Sequence, residues 1–197
     1  MDKLEQICAN SYRNFHAKGL DYLCLLRSPS LTIKAYFFEG DLTKLPEIVV
    51  PHDHRYPFTT QVLSGRMANR NYREVLDGDD DMQMYQCFNY LTPLNGGDGF
   101  SWAYETGLHN YSTREFLPGD IYTLRADQIH TLDIRAEDTV AILCQFADVV
   151  PVGEPTMAYR LGDGQEAPSM DGLYDEMRSD DAIKRLLQLE KLGYRMR

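Results

Sequence analysis

The sequence predicts a mainly β protein, an antiparallel sandwich or barrel with a helix at each end. Short runs rich in β-branched and aromatic residues recur from Leu31 to Phe146. Clusters of glycine, proline, asparagine and aspartate punctuate them. Strand follows strand, without the alternating helices of βα units.

Taken in order, Leu4, Ile7, Cys8, Tyr12 and Phe15 fall near helical spacing, so residues 1–20 read as a helix that Gly19 can end. Leu31–Phe38 reads as the first strand, closed by Gly40-Asp41. Further strands are expected at Glu47–Val50, Phe58–Leu63, Met67–Leu76, Met82–Leu91, Phe100–Thr106, Tyr111–Phe116, Ile121–Arg125 and Thr139–Phe146. Turns fall at Ser64-Gly65, Asp77–Asp81, Asn95–Gly99 and Pro118-Gly119-Asp120. Asp77–Asp81 reads as a solvated hairpin tip, because it lacks the spaced ligands and distal glutamate of a calcium loop. Pro151–Pro168, interrupted by prolines and glycines, reads as an extended connector. Ala182, Ile183, Leu186, Leu187, Leu189 and Leu192 then mark a C-terminal helix, with Asp180 or Asp181 near its start. The expected organisation is a helical segment over 1–30, a β-domain over 31–150, and a connector plus helix over 151–197.

The chain's 197 residues suit one domain with a full core. Hydrophobic content of 43% and charged content of 25% are globular values, so disorder is not the default. Thirteen tyrosines suit β-structure and a lined pocket. A net charge of −10 argues against nucleic-acid and anionic-membrane partners, which need a positive footprint. No apolar run approaches the roughly 20 residues of a membrane span, and the N-terminus lacks the order of a signal peptide. Cys8, Cys24, Cys87 and Cys144 are scattered and read as free thiols, so a cytoplasmic location is expected.

The chemistry concentrates at Pro51-His52-Asp53-His54, eleven residues before Gly65. Histidines at i and i+2 of a strand point to one face, and neutral imidazoles ligate Zn, Fe, Ni and Cu. The pair is half a metal site. His16 is expected on the polar side of the N-terminal helix, and His109 at the start of a strand. His130 has a more distinctive setting: the turn Pro118-Gly119-Asp120 launches Ile121–Leu124, and the chain then delivers Ile129-His130-Thr131.

These residues resemble the cupin superfamily, whose motifs are G-x5-H-x-H-x(3,4)-E-x6-G and G-x5-P-x-G-x2-H-x3-N. His52, His54 and Gly65 match the first motif in spacing, and Gly119 and His130 the second. Phe58 stands in the glutamate position and Pro46 in that of the first glycine. Arg125, Asp127 and Ile134 replace the second motif's proline, glycine and asparagine. The resemblance covers roughly residues 47–146. It implies a single jelly-roll β-barrel with a metal held by His52, His54 and His130. Loss of the glutamate resembles the cupin thiol dioxygenases, which share the His-Asp-His tripeptide. Their serine-histidine-tyrosine relay has no counterpart here, since Val140–Phe146 holds neither His nor Tyr.

Three neutral imidazoles leave a divalent ion its full charge and open positions, which suits a substrate bringing its own anionic or thiolate donor. The expected activity is that of a non-haem, O2-dependent ferrous oxygenase acting on a small polar or thiol-bearing metabolite. Zn, Ni or Mn would instead support isomerase, lyase or hydrolase chemistry, and a non-catalytic binding cupin is the third reading. A homodimer is compatible with each. Around the metal, strand alternation turns Tyr56, Phe58 and Thr60 inward and Gln61 outward, with Pro57 able to disturb the register. Tyr56, Gln61 and His109 are therefore candidates for oxygen or proton chemistry. Arg66 and Arg70 could pair a substrate carboxylate, and Phe58, Trp102 and Tyr104 could line the pocket.

Overall fold

A computed structural model describes residues 2–75, 82–91, 96–167 and 171–194. The chain opens with helix α1 (Lys3–Ala9), started by a reciprocal cap. The Asp2 carboxylate accepts from the Glu5 amide at 2.8 Å, and the Glu5 carboxylate accepts from the Asp2 amide at 2.9 Å. The helix expected over 1–20 ends here. Asn14 and His16 have φ of 51° and 64°, which a right-handed helix cannot contain. The chain instead forms β1 (Tyr12–Arg13) and β2 (Leu20–Arg27). β2 escapes pattern reading because both of its faces are covered, which removes the period-2 contrast. Residues 1–30 are thus partly sheet.

The order continues through β3 (Leu31–Phe38), a 3-10 turn (Gly40–Lys44), β4 (Phe58–Ser64), β5 (Met67–Val75), β6 (Gln83–Leu91) and β7 (Gly99–Phe116). Then come β8 (Ile121–Leu124), β9 (Ile129–Ile134), β10 (Thr139–Phe146), β11 (Thr156–Leu161), β12 (Asp175–Glu176) and helix α2 (Ser179–Lys191). Two antiparallel sheets result, ordered β12-β1-β2-β3-β10-β4-β8 and β11-β6-β7-β5-β9, in the jelly-roll arrangement the sequence predicts.

Several elements differ from expectation. Glu47–Val50 is irregular rather than a strand. The runs expected as Phe100–Thr106 and Tyr111–Phe116 are one strand, because β7 pairs with β6 along its first part and β5 along its second. Gly107, in its middle, is there for space and not for a turn: a Cβ would lie 2.7 Å from the Met82 sulfur. The connector over 151–167 contains β11, whose alternating Met157, Tyr159 and Leu161 are flanked by Pro155 and Gly162. The Asp77–Asp81 tip lies outside the described residues.

The seven-stranded sheet has two differently occupied faces. Leu20 on β2, Phe38 on β3, Leu143 on β10, Phe58 and Val62 on β4, and Tyr122 and Leu124 on β8 point inward. They meet Met67, Leu132 and Ile134 of the other sheet. On the outer face Leu23, Ala35, Phe37, Val140 and Ile142 pack against Ile7 of α1 and Ala182 and Leu189 of α2. Arg185 ties α2 down. Its buried guanidinium donates to Asp21 at 2.6 Å, pairs with Glu39, and stacks 4.9 Å from the Phe37 ring centre.

At the Ser64-Gly65 turn Gly65 has φ of 71°, and any Cβ there would lie 2.2 Å from the Thr139 hydroxyl. Only glycine lets β4 return as β5 so close to β10.

Candidate metal centre

The His52-His54 pair is not on a regular strand, as alternation suggests, but on an extended segment stitched into two strand edges. The His52 amide donates to the His130 carbonyl at 3.0 Å, and the His130 amide donates back at 2.9 Å. On the segment's other side His52 pairs with Ala158 of β11, and the Tyr159 amide donates to the Pro51 carbonyl at 2.8 Å. One residue therefore links β9 to β11, the outermost strands of the five-stranded sheet. Asp53, between the histidines, points away from them and accepts from the Met157 amide at 2.6 Å. Burial pushes its carboxyl up to about 6. The His54 amide donates to the Ala126 carbonyl at 2.9 Å, which completes the anchoring.

The three rings converge. One ligand nitrogen from each of His52, His54 and His130 lies within 4.8 Å of the other two. The Nδ1–H of His52 donates to the Val50 carbonyl at 2.9 Å, and that of His130 to Asn69 Oδ1 at 2.6 Å. Both bonds place the proton on Nδ1 and leave Nε2 with a free lone pair. The Asn69 amide is itself oriented, because its NH2 donates to Asn71 Oδ1 at 2.9 Å. Nε2 of His54 and Nε2 of His130 stand 2.8 Å apart. Two such lone pairs repel unless a proton or a cation lies between them. Imidazoles bound at right angles, at about 2.1 Å from one metal ion, would have nitrogens about 3.0 Å apart. The donor set fits a divalent ion. Burial lowers the pKa of all three imidazoles, and mutual repulsion lowers His54 and His130 further, which keeps them neutral and able to ligate.

The walls follow from the inner faces. Phe58 is buried with its ring 4.9 Å from His54 and 5.6 Å from His130, so the position that could hold a carboxylate is apolar. Tyr56 lies 5.3 Å from His54, ring centre to ring centre. Its hydroxyl accepts from the Lys34 ammonium at 3.3 Å. At the rim, His16 is neither helical nor remote. Its ring lies 3.9 Å from that of Phe15, centre to centre and tilted by 56°, it hydrogen-bonds Tyr174 OH through Nδ1 at 2.6 Å, and it is exposed. Desolvation by the surrounding protein lowers its pKa, with His52 and Lys34 adding to the effect.

The other candidates are placed elsewhere. Gln61 points to the outer, exposed side of β4, as alternation from Phe58 and Thr60 requires. Pro57 does not disturb that register. Arg66 sits in the exposed turn, 3.7 Å from Glu115. Arg70 lies between Asn69 and Asn71, hence on the opposite face, bound to Asp133 at 2.7 Å. Trp102 and Tyr104 are exposed on β7, donating to Gln86 at 2.7 Å and to Glu74 at 2.8 Å. His109 stands opposite Arg73 on the β5–β7 ladder, outside the histidine cluster. Sequence reading missed Asn69, whose role depends on β5 pairing with β9. It also missed Lys34, although that residue is the one charge in the run Leu31–Phe38.

No protein-family model matches the sequence, and no curated protein matches it. Solved structures similar in chain course include cupin-superfamily proteins. KdgF from Halomonas sp. has a TM-score of 0.38 at 13% identity, covering 65% of this chain and 80% of that one. A cupin superfamily protein from Desulfitobacterium hafniense DCB-2 has a TM-score of 0.39 at 11% identity, covering 66% and 78%. An RmlC-like cupin from Shewanella frigidimarina NCIMB 400 has a TM-score of 0.39 at 11% identity, covering 71% and 86%. At these values the likeness says nothing about activity.

Proposed function

We propose that this protein is a metal-dependent enzyme of the cupin type, a non-haem ferrous oxygenase acting on a small polar or thiol-bearing metabolite with O2. The observation that carries this reading is the convergence of three neutral imidazoles beside Phe58, with no carboxylate among the three ligands. Ferrous iron in such a site would supply redox chemistry and retain positions for both substrate and O2. The chain's own residues do the rest. Val50 and Asn69 hold two of the ligands in the ligating tautomer. Phe58 excludes water and an anionic ligand from one side, so the negative donor comes from the substrate. Tyr56 offers a hydroxyl to a ligand atom near His54.

The test is metal analysis of protein purified without air, joined to O2-uptake measurements across thiols and amino acids. Iron at about one per chain with substrate-dependent O2 consumption supports the reading. Tightly held zinc, nickel or manganese without O2 uptake moves the assignment to Lewis-acid chemistry. The His52→Ala and His130→Ala variants should lose metal while keeping their fold. Full metal content in both would show that the ligands are others.

A further inference from the structure

Among the described residues, the lysine at the centre of β3 has no anionic partner. Lys34 is 7% exposed and points to the inner face of the barrel. Its hydrogen bond is the 3.3 Å contact to Tyr56 OH, and its ammonium lies 5.6 Å from the Tyr22 ring centre and 5.0 Å from that of Tyr56. Among the described residues no ion pair to it forms. An ammonium carries three donors, and a cation buried without an anion is costly. The two aromatic faces offset only part of that cost. Among the described residues the other buried charges are paired: Arg185 has Asp21 and Glu39, and Asp133 has Arg70 and Arg135.

The position is as telling as the lack of a partner. Tyr56 is the common neighbour, touching Lys34 on one side and His54 on the other. A divalent ion and this ammonium would give the interior three positive charges. The imidazoles, Phe58 and Tyr56 supply no negative charge against them, and Asp53 faces the other way.

We propose that Lys34 and Tyr56 bind a carboxylate of the substrate while another part of the same molecule faces the metal. This rests on the metal-centre reading above and names its substrate class as a small carboxylic acid. A carboxylate fits better than a phosphate. It has two oxygens for one ammonium and one phenol, whereas a phosphate among these aromatic walls would leave acceptors unsatisfied.

The experiment titrates the full chain by calorimetry, metal-free and loaded with Co(II), using malonate, neutral malonamide and inorganic phosphate as probes. Malonate should bind, malonamide and phosphate at least tenfold more weakly. The Lys34→Met variant should lose at least tenfold in malonate affinity, and Tyr56→Phe a smaller factor. Met fills the same space without the charge, so Lys34→Met should melt at an equal or higher temperature. A structural lysine would instead give a lower melting temperature with unchanged binding, which overturns the proposal. So would equal affinity for malonamide, or a preference for phosphate. Lys34-dependent malonate binding in a protein that takes up no metal would sink the metal reading and leave the carboxylate site at Lys34 and Tyr56 standing. Retained metal with malonate binding indifferent to both substitutions would do the reverse.

Discussion

Replacing Asn69 with alanine isolates the contribution of a residue that holds a ligating imidazole without being one of the three ligands. Asn69 is 2% exposed, and its Oδ1 accepts from His130 Nδ1 at 2.6 Å. Alanine leaves that N–H buried without an acceptor, at a cost of about 1–3 kcal/mol. It also frees the other tautomer, in which the proton sits on Nε2 and blocks ligation. Outer partners of ligating histidines are worth about 10–100-fold in metal affinity, or about 1.4–2.8 kcal/mol. Competition for Zn(II) or Co(II) against a chromogenic chelator reads this directly. Asn69→Ala should fall by about that factor, whereas Asn69→Asp, which keeps an acceptor, should recover most of it. Asn71→Ala should lose less, because Asn71 only orients the Asn69 amide. Wild-type affinity in Asn69→Ala, with metal lost in His130→Ala, would refute the argument that this hydrogen bond sets the tautomer.

Phe58→Glu should raise affinity for divalent metal and lower the melting temperature of the metal-free protein, since the new carboxylate would be buried beside His54 and His130. Unchanged metal affinity in a folded variant would mean that position 58 does not face the ion. Arg185→Leu should cost about 3 kcal/mol in urea unfolding, because it leaves Asp21 and Glu39 without their cation. A loss below about 1 kcal/mol would place the anchoring of α2 in its apolar contacts instead. For the metal-free protein, His52, His54 and His130 have folded pKa values below the ordinary 6.5. The unfolded chain therefore binds more protons than the folded one as pH drops through 6.5. Stability should fall from that pH downward, and the His130→Ala variant should show a shallower fall in melting temperature between pH 7 and 5.

Much of this protein was legible in the order of its residues. Alternation and turn chemistry placed β3, β4, β5, β6, β8 and β10 to within a residue or two, because each is bounded by strong turn signals or buried on one face. The spacing of His52, His54, Gly65, Gly119 and His130 predicts the cluster that the three histidines form. Alternation also turned Phe58 inward and Gln61 outward correctly. Only tertiary structure could decide the rest. β2 and β11 take their form from neighbours: β2 is covered on both sides, and β11 pairs with β6 and with the single residue His52. Arg70 was a plausible anion site until Asp133 proved to stand across the ladder from its neighbour Ala68. Asn69 acquired its role because β5 lies beside β9. Lys34 is a residue whose charge is visible in sequence, while its lack of an ion pair among the described residues is a property of the folded chain alone. Local pattern fixes which way a side chain points; long-range pairing fixes what it meets there.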